Sequence, residues 1–146
     1  MFLIDTDTII YNLKGNDAVT KNLQRHIEDP IKISIVTLME LYFGAYESEK
    51  VAVNLAKVRT LENSFEVIAA DKGSAEIHGM LKATLEKSGT PLDDFDLIIA
   101  ACALAHNLIL VTNNIKHFSR VEGLKLTSWS VYPESQTLSP GHKKNT

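Results

Sequence analysis

The sequence predicts one α/β domain in which a parallel β-sheet is flanked by helices. Three observations carry that expectation. Short apolar runs rich in β-branched residues recur at residues 2–4, 31–36, 65–69, 108–111 and 124–127. Longer helix-compatible stretches separate them, and strands alternating with helices mark βαβ units. The chain has 146 residues, 45% of them hydrophobic and 23% charged, which is ordinary for one globular domain.

Taken in order, Phe2-Leu3-Ile4 is an apolar run ending at Asp5 and reads as a buried strand. Residues 17–28 are polar and helix-compatible, and Pro30 breaks them. Ile31, Ile33, Ile35 and Val36 make residues 31–36 the second strand. Thr37-Leu38-Met39-Glu40 matches a capping box, so a helix is expected from there to about Ser48. A further helix is expected over 51–62 and a third strand over 65–69. Residues 72–87 are helical, and Ser88-Gly89-Thr90-Pro91 stops them. Residues 95–106 form a helix with few polar positions, followed by strands at 108–111 and 124–127. From Tyr132 onward the chain has almost no apolar content. The expected organisation is therefore a folded domain over 1–131 and a polar, disordered tail over 132–146.

Composition narrows the class. Cys102 is the single cysteine, so no disulfide framework forms within the chain, which fits a reducing cytoplasm. The opening MFLIDTDTII has two aspartates and no basic start, so it reads as neither a signal peptide nor a membrane span. The net charge of −3 gives no general basic footprint for nucleic acid, and any such partner must be met by a local patch.

Ligands of open α/β sheets bind outside the carboxyl ends of the strands, so the residues just after each strand are the candidates. Asp5 follows the first strand. Glu40 lies just beyond the second, one turn into the next helix. Asp96 opens the apolar helix leading to the fourth strand, and Asn113 and Asn114 follow that strand after Thr112. Each has a plain structural reading. Asp5 can be a turn residue, Glu40 the partner of Thr37 in a capping box, and Asp94 or Asp96 a helix N-cap. Together they point elsewhere. Two carboxylates ~4 Å apart repel by roughly 4 kcal/mol at an effective dielectric near 20, and a hard cation bound through oxygen offsets that repulsion. Histidine and cysteine are absent from these positions, which favours Mg2+ or Mn2+ over zinc. Such a site suits phosphodiester hydrolysis. No serine–histidine–acid pattern, P-loop or Rossmann fingerprint competes with it.

Four segments resemble those of a known family. Leu3-Ile4-Asp5-Thr6-Asp7 looks like the opening of PIN domains, and residues 34–45, SIVTLMELYFGA, resemble their second acidic segment. Residues 91–101, PLDDFDLIIAA, resemble the third and residues 110–121, LVTNNIKHFSRV, the fourth, with Gly123-Leu124 and Trp129 beyond. The resemblance covers about residues 1–130. Within the family it is to VapC toxins of bacterial toxin–antitoxin pairs, especially the branch acting on initiator tRNA. It implies a three-layer PIN-like fold with a twisted parallel sheet, Mg2+- or Mn2+-dependent RNA cleavage, and homodimers inhibited by a VapB-type antitoxin. By resemblance Asp5, Glu40 and Asp96 are the acidic core and metal ligands, with Asn114 at the fourth position and Asp94, Asp7 and Thr112 in support. Two positions depart from the pattern: Asp7 stands where asparagine is frequent, and Asn114 where a fourth acid is.

Other residues read more simply. Tyr42, Phe43 and Tyr46 share a helix and suit core or dimer packing, or an antitoxin groove. Cys102, among alanines, is a small buried hydrophobe. The five histidines show no ligand spacing. Lys116 and Arg120 either touch the RNA backbone or form a solvated face. Two rival readings remain. Asp5-Thr6-Asp7-Thr8 resembles the DxDxT opening of haloacid-dehalogenase-type phosphatases with Asp5 as nucleophile, although Asp93-Asp94 follows a helix where a strand is needed. The other rival is a receiver-like module without activity.

Overall fold

The computed structural model describes residues 1–132, so the expected disordered tail lies, Tyr132 apart, outside the described residues. In chain order the elements are β1 (Phe2–Ile4), α1 (Thr6–Leu13), α2 (Asp17–Arg25), β2 (Ile31–Ser34), α3 (Ile35–Glu47) and α4 (Val51–Ser64). They continue with β3 (Glu66–Ile68), α5 (Lys72–Lys87), α6 (Asp94–Ala105), β4 (Ile109–Val111), α7 (Ile115–Phe118) and β5 (Leu126–Thr127). The strands form one sheet in the order β3-β2-β1-β4-β5, every pairing parallel.

The pleat sorts the strand residues between two cores. Leu3 and Leu110, paired in register, face a cluster completed by Leu81 and Leu85 of α5 and by Leu97, Ile99 and Cys102 of α6. Phe2, Ile4, Ile33 and Val111 face the opposite cluster, with Ile9 of α1, Leu38 and Leu41 of α3, and Val58 and Leu61 of α4. Helices on both faces of a parallel sheet are why its strands β1 and β4 are wholly apolar. The three-layer expectation holds, and Cys102 is fully buried.

Most expected boundaries fall within two residues of the observed ones, and α5 matches at both ends. The differences are informative. α1 was not expected: it starts directly after β1, with Asp5 as its N-cap. β2 ends at Ser34 rather than at residue 36, because Ser34 N-caps α3 and its hydroxyl accepts from the Thr37 N–H at 3.0 Å. Thr37 therefore stands inside the first turn, and the expected Thr37–Glu40 capping box does not form. The short α7 was also unforeseen. At the end of α6, Asn107 takes a positive φ of 52° and the Leu108 N–H reaches back to the Ala103 carbonyl at 2.8 Å, a left-handed closure that asparagine tolerates.

The last described segment is strapped across the sheet. Trp129 is 1% exposed and meets Phe2 edge-on at 5.0 Å and His26 stacked at 5.1 Å. The buried Asn22 amide donates to the carbonyls of Ala18, Trp129 and Val131 at 3.1, 3.1 and 2.7 Å. Trp129→Ala should cost about 3–5 kcal/mol of folding stability, as full truncation of a buried aromatic does, and Trp129→Phe distinctly less. Urea denaturation of the two variants checks this.

Candidate active site

The site begins where β1 and β4 end side by side. Asp5 donates its backbone N–H to the Val111 carbonyl at 2.8 Å, extending the ladder beyond Ile4. Its side chain is 5% exposed. Oδ1 accepts from the Thr6 N–H at 2.8 Å, capping α1, and Oδ2 accepts from the Thr112 hydroxyl at 2.8 Å. Thr112, just past β4, accepts in turn from the Asn114 N–H at 3.0 Å. The interrupted strand order puts the crevice of a parallel sheet between β1 and β4, and the Thr112–Asp5 hydrogen bond spans it.

Glu40 reaches the same edge from the second turn of α3. Its Oε1 accepts from the Thr6 hydroxyl at 2.8 Å, and that hydroxyl lies 3.1 Å from the Thr37 hydroxyl. Glu40 thus has a tertiary partner and no part in capping. Asp96, in the first turn of α6, is half-buried. Asp7 stands in the first turn of α1. Asn114 turns its side-chain oxygen toward the His117 Nδ1. Together Asp93, Asp96, Asn114, His117 and Arg120 line a recess of about 170 Å3. Larger grooves run between α1 and α4, but their walls are mainly apolar.

Acidic charge is concentrated here. Burial above all, and then the Asp7 charge, push the Asp5 carboxyl up to about 7, with Asp96 adding to the rise and the Thr112 and Thr6 hydrogen bonds opposing it. Burial also raises Asp96, followed by the charges of Asp93, Glu40 and Asp7, while His117 pulls it down. Asp94 behaves differently. It pairs with Lys82 of α5 at 2.8 Å, a contact that lowers its carboxyl below the ordinary range. Of the two aspartates just before Asp96, Asp93 is the one whose charge raises it. Of the other residues weighed, Phe43 and Tyr46 are 68% and 63% exposed, which rules out core packing for both. Tyr42 is partly buried and donates to Glu62 at 2.6 Å. The Arg120 guanidinium donates to the Pro91 carbonyl at 3.0 Å.

Whether these residues suit a divalent cation turns on donor chemistry. Asp5, Glu40 and Asp96 offer hard carboxylate oxygens, and their mutual repulsion is what a cation relieves. Among the described residues no three acidic, histidine or cysteine side chains form a closed metal cage. Asp5 and Glu40 have hydroxyl and backbone N–H donors as their partners instead. The donor set fits such an ion in kind. Ser34, Thr37 and Thr6, the hydroxyls behind Glu40, were not among the expected site residues. Their types carry no chemical signature, and their link to Glu40 needs the fold. The haloacid-dehalogenase reading fails because Asp93 and Asp94 follow the α5–α6 loop rather than a strand, and the receiver reading gains no support.

Comparison with known proteins agrees with this geometry. The family model described as "PIN domain" matches residues 2–124. The tRNA(fMet)-specific endonuclease VapC of Shigella flexneri is 36% identical over 129 residues, covering 88% of this chain and 98% of that protein. Ribonuclease VapC2 of Rickettsia felis is 34% identical over 131 residues, covering 88% and 98%. Among solved structures, DNA-bound VapBC from Salmonella typhimurium superposes with a TM-score of 0.83 at 33% identity, over 88% of this chain and 97% of that one.

The raised Asp5 carboxyl makes a prediction about stability. The folded state binds this proton more tightly than the unfolded chain does. Its contribution is therefore complete below the ordinary value of 3.8 and is lost as pH rises through about 7. With a chelator present, Asp5→Asn should match the parent near about pH 4 and melt several degrees higher near about pH 8. Melting curves across that range test this, and a variant no more stable at the alkaline end contradicts it.

Proposed function

The chain belongs to the PIN domain family, among the VapC ribonucleases of VapBC toxin–antitoxin systems, and from that premise we propose that it is a divalent-cation-dependent endoribonuclease cutting tRNA at the edge formed by Asp5, Glu40 and Asp96. The observation that carries the reading is the placing of the buried Asp5 carboxyl at the crevice between β1 and β4, where burial first, and then the Asp7 and Asp96 charges, push it up. Asp5, Glu40 and Asp96 would hold Mg2+ or Mn2+. Such an ion, when bound, supplies an activated water and steadies charge on the leaving oxygen.

The chain's own residues do the rest. Thr112 and the Thr6 N–H aim the two oxygens of Asp5. The Asn114 amide offers both a donor and an acceptor to a phosphate or a water beside Asp96, without adding charge. Arg120 lines this recess, and with Lys116 on α7 it would supply the local basic patch that the net charge of −3 lacks.

The relatives' names guide the choice of substrate and partner. Initiator tRNA is the substrate to test first, and the cytoplasm, where it is found, is the place of action. The partner is a VapB-type antitoxin, by likeness to the VapBC complexes. A homodimer would cover the stripe of Met39, Phe43 and Tyr46 that α3 leaves exposed. No helix among the described residues is long and apolar enough to cross a membrane.

The test is direct. Protein freed of its antitoxin should cut initiator tRNA with Mg2+ or Mn2+ and stop on chelation, while elongator tRNA is cut more slowly. Asp5→Asn, Glu40→Gln and Asp96→Asn should each lower the rate on the order of 100-fold or more, with the fold retained. Glu40→Gln is the cleanest of the three, because Ser34 and not Glu40 caps α3. Chelator-resistant cleavage, or full activity in these variants, would defeat the proposal. Asn114→Asp should remain active and bind Mn2+ more tightly, since an added carboxylate favours the cation. Calorimetric titration reads that change. In cells, expression should arrest growth, and co-expression of the neighbouring antitoxin should restore it.

A further inference from the structure

We propose that Thr6 is a positioning residue that sets the spacing of the Asp5 and Glu40 carboxylates, with the buried Ser34 and Thr37 hydroxyls fixing the direction in which it donates. The inference rests on the reading of Asp5 and Glu40 as cation-holding groups. Thr6 touches both. Its backbone N–H donates to Asp5 Oδ1 at 2.8 Å, and its hydroxyl to Glu40 Oε1 at 2.8 Å. One residue, 8% exposed, therefore ties a carboxylate at the end of β1 to one on α3, 35 positions later in the chain.

Proton counting gives the arrangement a direction. A carboxylate only accepts, so the single Thr6 proton points at Glu40. The Thr6 oxygen, 3.1 Å from the Thr37 hydroxyl, must then accept the Thr37 proton. The Thr37 oxygen, 3.3 Å from the Ser34 hydroxyl, accepts the Ser34 proton, while Ser34 accepts from the Thr37 N–H at 3.0 Å. Ser34 and Thr37 are fully buried, so no water competes for these protons. The result is a row of hydroxyls running from the cap of α3 to Glu40, each polarising the next. It engages one oxygen of Glu40. The other has no protein donor among the described residues and is available to a cation.

A purely structural role makes a different forecast. In that case Thr6 would only pin α1 to α3, and its loss would lower stability without altering cation binding at the remaining folded protein. Thr6→Val keeps the shape, the β-branch and the backbone N–H while deleting the hydroxyl. Measured on the full chain freed of antitoxin, it should stay folded and bind Mn2+ about tenfold more weakly, as loss of a group supporting a metal ligand does. Its kcat on tRNA should fall while KM stays near the parental value. Thr6→Ser restores the hydroxyl and should restore both. Thr37→Val should weaken Mn2+ binding in the same direction by a smaller factor.

Parental Mn2+ affinity and kcat in Thr6→Val overturn the inference, as does a Thr6→Ser protein as defective as Thr6→Val. Should Thr6→Val fail to fold, Thr37→Val decides, and parental Mn2+ affinity there overturns the hydroxyl row. A parent that neither binds Mn2+ nor cuts RNA removes the functional reading itself, and this inference with it. A parent that does both while Thr6→Val is indistinguishable from it overturns only the role given to Thr6.

Discussion

The strand order β3-β2-β1-β4-β5 places the carboxyl ends of β1 and β4 next to each other, and the bond between Asp5 and Thr112 closes that seam across 107 positions of sequence. Much of the site follows from it. The connections leaving β1 and β4 diverge here, so the crevice between them is open to a ligand. Asp5 is aimed from one side by the strand it ends and from the other by the strand it faces. Because Thr112 must hold its hydroxyl toward Asp5, the same oxygen is free to receive the Asn114 N–H, which fixes the start of α7. The edge of the sheet and the first turns of α1 and α7 are one hydrogen-bonded unit.

Two strand-to-helix junctions in this unit have no loop. Ile4-Asp5-Thr6 and Ile33-Ser34-Ile35 pass from strand to helix through a single capping residue. This explains which parts of the fold were legible in sequence. α5 and α6 lie between clear stop signals and were bounded well. β2 was read two residues too long because Ile35 and Val36 are β-branched and continue its apolar pattern, although they form the first turn of α3. α1 was missed for the related reason that Thr6, Thr8, Ile9 and Ile10 favour strands when read alone. Its cap, Asp5, is also a candidate site residue, so its type alone does not mark a helix start.

Asp5 was legible by position, since topology sends the residue after each strand to one edge, whereas Glu40 lies in the second turn of α3 and Asp96 at the start of α6. The neighbours of these acids were not legible. Three carboxylates fall within four residues at the start of α6, and nothing local says which one faces the edge. Lys82, from α5, pairs with Asp94, a partner that only the fold supplies. Likewise two overlapping patterns, Ser34 to Thr37 and Thr37 to Glu40, both satisfy the rules for a helix start. Only the end of β2 selects the first, and that releases Glu40 for the site.

The choice of partners around these acids bears on function. Lysine or arginine beside Asp5 and Glu40 would satisfy their oxygens and also cancel their charge, as Lys82 does for Asp94. Hydroxyls and backbone N–H groups satisfy oxygens while leaving the charge in place. A site built to attract a cation needs the second kind of partner, and Asp5 and Glu40 have it. The cost is visible in Asp5, whose carboxyl is pushed up by burial and by its acidic neighbours. On the proposed reading, a cation bound at this edge would offset the repulsion among these acids. On this view Thr6, Thr112 and the Asn114 amide belong together as neutral groups at an acidic edge. They fix where the carboxylates point and leave the negative potential for the ligand.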